Sequence, residues 1–208
     1  MLKNRIGEGS GRMLAALTIF LTTAALAIIL NATVGGYGWH VGWSISKYVG
    51  LELWSVIMFA VGNCFVAALM GSYMWQLGQR WGMPKFYYVL ILMVVVALLA
   101  VSFCPFGFCD VGGAKGIVTR AHEFSSRSLF VIMMVIAAMI AIYQRVNRLT
   151  MVLNVAFVIF AICSVVGDLT KAAWFTPLIL IYETSYLLGF MLIVMYCGAT
   201  IGRRSKDN

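Results

Sequence analysis

Between Phe103 and Arg127 the chain gathers residue types that could do chemistry: Cys104, Cys109, Asp110, Arg120, His122, Glu123 and Arg127. His40 precedes them, and Asp168, Lys171 and Glu183 follow. An imidazole near carboxylates is the set from which general bases and metal ligands are drawn. His122 is therefore a candidate catalytic group, with Asp110, Asp168 or Glu183 completing the set. Their spacing does not define a metal site, so we assign none, and any cofactor is left unknown. The plainer reading makes His122 and Glu123 a polar cap over backbone groups left open at a helix start. As a binding site the same region offers His40, Arg120, His122, Glu123, Arg127, Lys171 and Glu183.

Glu183 is the most informative single residue, because it falls within an apolar run. An acid inside a membrane helix is expensive and marks a functional site by default. Arg120, Arg127, Lys171 or His122 could pair with it, so a structural ion pair and a ligand or proton site both stay open. Cys104 and Cys109 flank Pro105-Phe106-Gly107-Phe108, a tight turn that would let the two thiols meet. On an oxidising side of a membrane we expect a Cys104–Cys109 disulfide stapling this loop. A thiol oxidase would need a second reactive pair. Cys64, Cys163 and Cys197 sit singly in apolar runs and read as small packing residues.

The elements that must position these groups follow from composition. Of 208 residues, 62% are apolar and only 11% charged, with a mean hydropathy of +0.96. Soluble domains carry about 25% charged residues, so lipid must be the solvent for most of this surface. The apolar runs are long and unbroken, which excludes a membrane barrel with its short alternating strands. The expected fold is all-α: a single six-helix transmembrane domain with approximate spans 13–30, 49–75, 86–103, 119–143, 150–166 and 177–200. The first span follows a basic head and could be mistaken for a signal peptide. We read it as a retained helix.

Basic residues set the orientation. Lys3, Arg5, Arg12, Arg80, Lys85, Arg145, Arg148, Arg203, Arg204 and Lys206 fall on one side; Lys47, Lys115, Arg120, Arg127 and Lys171 fall on the other. Five of the seven acids share the second side, so the net charge of +8 gathers on the first. Both termini are expected to be cytoplasmic, in a cell (inner or plasma) membrane, and nucleic acid is not needed to explain the charge. The candidate residues then lie outside, under a cap built from the loops. The first of these loops, Asn31 to Tyr48, is rich in Gly, Trp and Tyr and suits the headgroup region. Glu52, at the start of the second span, needs only the helix dipole to explain it. Gly62, Gly71 and Gly78 allow close helix approach, and the mid-helix amides Asn63 and Asn154 bond across helices.

The run Cys104-Pro105-Phe106 through Asp110 to His122, leading into a helix, resembles a pattern in the prokaryotic six-helix membrane family called domain of unknown function 998. Length, six spans, an outer proline followed by a histidine, and an early acid in the last helix (here Glu183) all fit. An aromatic more often stands where Cys104 does, and a base where Thr184 does. The resemblance implies the fold and an outward site but no reaction. The function expected is therefore non-catalytic: binding of an amphipathic or lipid ligand, or a subunit role beside partner membrane chains or further copies. The alternative is an outward-facing lipid-modifying enzyme, such as a metal-dependent hydrolase, using His122 with Asp110, Asp168 or Glu183.

Overall fold

The computed structural model describes residues 2–40, 42–104, 115–144 and 148–204. Its seven α-helices are α1 (Leu2–Thr33), α2 (Ile45–Val49), α3 (Leu53–Trp81), α4 (Lys85–Phe103), α5 (Lys115–Gln144), α6 (Arg148–Thr170) and α7 (Ile179–Arg204). No strand occurs among the described residues. All except α2 are long and apolar enough to cross a membrane, which makes the chain a multi-pass membrane protein. Each spanning helix packs on the next, and α7 closes back on α1, giving a ring in chain order. α5 also touches α7 across the ring.

α1, α5 and α6 run past the expected bounds at both ends, because apolar periodicity locates a membrane core and not the polar turns beyond it, whereas α3 and α7 begin four and two residues later than expected. These shifts move key residues. α5 begins at Lys115, so His122 lies two turns inside the helix and not at its start. Glu183 lies about one turn into α7, nearer the end than expected. Glu52 precedes α3 as its N-cap without capping it, and its carboxylate accepts the Tyr37 hydroxyl at 3.0 Å. That hydrogen bond, with the carboxylate's charge, raises the Tyr37 phenol above its ordinary value.

Two helix ends show how the sequence stops a helix. Gly82 closes α3 in the left-handed region at φ 61°, and Met83 N–H returns to Gly78 O at 3.0 Å. That is the Schellman arrangement, which glycine enters without a Cβ clash. α6 ends the same way, with Ala172 N–H on Gly167 O at 3.0 Å, but its left-handed residue is Lys171, at φ 51°. Where α1 meets α3, a Cβ on Gly62 would stand 2.6 Å from Thr23 Cγ2. Gly62 is small because the helices touch there.

The α1–α3 connection is not a bare interfacial loop. It folds back over the bundle end and forms α2, which packs on α1, α3 and α7. Tyr48 is fully buried at its centre. The Asn31 amide donates to the Tyr48 carbonyl at 2.9 Å, and the His40 N–H donates to the Tyr48 hydroxyl at 2.6 Å. Ser55 Oγ, at the start of α3, donates to Val49 O at 2.6 Å. Backbone groups that would be stranded near lipid are thus met by side chains.

Candidate functional site

α5 presents His122, Glu123, Ser126, Arg127 and Phe130 on one face, a spacing of four residues that stacks successive turns. α7 does the same with Ile179, Tyr182, Glu183 and Tyr186. With Ser164, Val165 and Asp168 of α6 and the segment around α2 above, these faces enclose a cavity of about 260 Å³. The Tyr186 hydroxyl fixes the two faces by donating to the Phe130 carbonyl at 2.5 Å.

Among the described residues the cations and carboxylates inside pair with one another, except Lys47 and Glu183. Arg127 Nε donates to Asp168 Oδ2 at 2.8 Å, and its guanidinium also reaches Glu123 at 3.5 Å. Lys171 Nζ is 3.3 Å from Asp168 Oδ1. Lys47 lies 4.1 Å from the centre of the Trp43 ring, a cation–π contact. Glu183 has no cation within ion-pair distance among the described residues. Its Oε2 accepts the Ile45 N–H at 2.9 Å. Of the two readings open for Glu183, the ion pair is not formed among the described residues: a backbone donor stands in its place, and Arg127 and Lys171 are both drawn to Asp168.

His122 is 5% exposed, and its Nδ1 lies 2.7 Å from the carbonyl of Cys104, just past the end of α4. A carbonyl only accepts, so Nδ1 carries the proton. The expected polar cap exists in another form: the imidazole satisfies the C-terminal end of α4, not the start of its own helix. Cys104 enters the site by its main chain, and its thiol is free. No disulfide joins the described cysteines, and the proposed partner Cys109 lies outside the described residues, as does Asp110.

Six candidates, namely His122, Glu123, Arg127, Asp168, Lys171 and Glu183, therefore share one cavity. His122, Asp168 and Glu183 are each bonded to a different partner, and no three His, Cys, Asp or Glu residues are grouped to hold a metal among the described residues. His40 is not brought in: it is exposed, stacked on Trp43 at 4.2 Å, with its ring nitrogen 3.0 Å from Tyr37 O. Arg120 lines a neighbouring groove of about 490 Å³, between Met93 of α4, the outer face of α5 and Leu169 of α6. Glu123, Arg127 and Val165 line both spaces.

A recess of about 50 Å³ continues inward beneath His122 and Glu183 to Asn63. There the Asn63 amide donates to Ser102 Oγ at 2.8 Å, while its buried Oδ1 has no partner among the described residues. Such a space has room for a water. The residues not anticipated from sequence are Lys47, Ser126, Phe130, Tyr182 and Tyr186. Helical spacing from His122 and from Glu183 would have pointed to Ser126, Phe130 and Tyr186, while Tyr182 adjoins Glu183 in sequence.

No family model matches the chain, and no curated protein or solved structure matches it either. Fold and site together define a six-helix multi-pass membrane protein with a polar, aromatic-walled cavity at the bundle end opposite the termini.

Proposed function

We propose that this protein binds an amphipathic, lipid-like ligand without transforming it, the head in the cavity and the chain along the groove. The observation that carries the reading is the shared wall, since Arg127 and Glu123 line both spaces. One molecule with a polar end and an apolar end fits such a pair of sites. The groove is rimmed by Met93, Val131, Ile132 and Leu169, so entry is sideways from the bilayer. On this reading the site lies on the outer face of a cell membrane with both termini cytoplasmic, an orientation that the distribution of basic residues supports. The enzyme alternative rests on His122, whose Nδ1 is held by the Cys104 carbonyl.

Native mass spectrometry of the detergent-extracted protein, with metal analysis of the same sample, tests this. A lipid retained by the wild type and lost in Val131→Trp, which fills the groove, is the expected result. A wild type that carries no lipid, or a Val131→Trp variant that carries as much, would overturn it. Stoichiometric metal lost in His122→Ala, with turnover of the lipid, would establish the enzyme instead.

A further inference from the structure

We infer that the cavity recognises its ligand by an ammonium group, seated against Glu183 and the aromatic rings beside it. The inference rests on the amphiphile reading above and adds the chemical class of the headgroup. Two independent features point to it.

The first is the charge pattern. Glu123 and Asp168 are neutralised by Arg127 and Lys171, leaving Glu183 as the cavity carboxylate without a cation. The Ile45 N–H occupies only one position on Oε2, and an ionised carboxylate accepts at about four lone-pair sites. A charge held in a membrane span is expensive until a counter-ion meets it, and a ligand cation is that counter-ion.

The second is the wall. Tyr182 and Tyr186 line the cavity beside Glu183 on α7, and Phe130 and Phe175 line the same cavity. Phe130 meets Tyr186 at 4.6 Å between ring centroids, and Phe175 meets Tyr182 at 4.8 Å. Ring faces attract ammonium groups, and aromatic cages are the usual device for quaternary ones. With Glu183 set aside, Lys47, Arg127 and Lys171 outnumber Glu123 and Asp168 by one positive charge. The remainder of the cavity therefore suits an anionic group on the same head. Together the two halves describe a zwitterion, such as a phosphate followed by an ammonium.

The test is a competition in detergent on the delipidated full chain, read by native mass spectrometry. The probes are phosphatidylcholine, phosphatidylethanolamine and phosphatidylglycerol with identical acyl chains, and soluble choline. Wild type should retain the two ammonium lipids about tenfold over phosphatidylglycerol, the discrimination expected of one desolvated cation–π and charge contact. Glu183→Gln keeps an acceptor for the Ile45 N–H and should fold, yet lose the preference while still binding lipid. Tyr182→Leu, with Glu183 intact, should reduce the preference several-fold. Displacement of lipid by choline would place the recognition in the head alone, and retention against choline would place its source in the bilayer; both support the ammonium site. Equal retention of phosphatidylglycerol, or a preference unchanged in Glu183→Gln, would overturn the ammonium assignment and leave the amphiphile reading standing. Failure of every lipid to bind would overturn both.

Discussion

Arg127 of α5 and Asp168 of α6 are joined by a 2.8 Å hydrogen bond in the wall between the cavity and the groove. Both side chains are about one-third exposed, at 36% and 33%. A pair that open contributes about 1 kcal/mol or less. Its larger consequence is to hold the guanidinium in the wall that both spaces share, where the headgroup of the proposed ligand would pass from groove to cavity. Asp168→Asn should therefore lower Tm in detergent by only about 2–4 °C, while Arg127→Ala reduces lipid retention about tenfold or more. A fall in Tm above 10 °C for Asp168→Asn would instead make the pair a clamp on the bundle.

Lys171 illustrates a residue placed against its own backbone preference. At φ 51° it occupies a conformation that costs an L side chain about 1–2 kcal/mol. Lys171→Gly should stabilise the protein by about 0.5–1 kcal/mol, the relief of that clash less glycine's greater unfolded-state entropy. The same change removes a cavity cation and the Asp168 contact, so lipid retention should fall as Tm rises. Opposite signs in a thermal scan and a binding assay are the expected result. A parallel gain in both would mean that Lys171 is an ordinary helix end.

What could be read from the sequence divides along a physical line. Six spans are legible because transfer of about 20 apolar residues into lipid dominates every local preference. Single polar residues are decided by competition among neighbours, which one chain read in order does not show. Glu183 offers an example: four possible cations are visible, but Arg127 and Lys171 go to Asp168. His122 offers another, since its partner is a carbonyl eighteen residues earlier, and carbonyls leave no mark on composition. The α2 fold-back was hidden for the same reason. Its hydrogen bonds run mainly through backbone groups of Tyr48, Val49 and His40.

Asn63 and Ser102 couple α3 to α4 through a fully buried 2.8 Å hydrogen bond. Ser102→Ala leaves the Asn63 amide donor without that partner. In soluble cores this costs about 1–3 kcal/mol, but cross-helix bonds in membranes average about 0.6 and reach about 1.7. The lower figure applies because the reference state in a bilayer also finds partners. A double-mutant cycle of Asn63→Ala with Ser102→Ala, by reversible unfolding in mixed micelles, should give coupling of about 0.6–1.7 kcal/mol. Coupling near zero would show that Asn63 serves the recess below the cavity and not the helix contact.

Tyr48 ties the cap to the bundle through opposite ends of one residue. Its carbonyl accepts from Asn31 of α1, and its hydroxyl accepts from the His40 N–H. Tyr48→Phe removes that second tie, together with the longer 3.4 Å donations from the hydroxyl to the Gly38 and His40 carbonyls, and preserves the buried ring. The 34–44 segment should then open more readily while α1, α3 and α7 stay packed, because their contacts do not involve that hydroxyl. Amide hydrogen exchange should accelerate about tenfold at residues 38–43, the equivalent of losing one net hydrogen bond of about 1.4 kcal/mol, with Tm changed by only a few degrees. Lipid should also exchange faster, since Ser44, Ser46 and Lys47 of the same segment line the cavity. Faster exchange throughout the bundle would instead make the cap part of the folding core. Unchanged exchange at 38–43 would mean that the ring and the Asn31 bond alone hold it down.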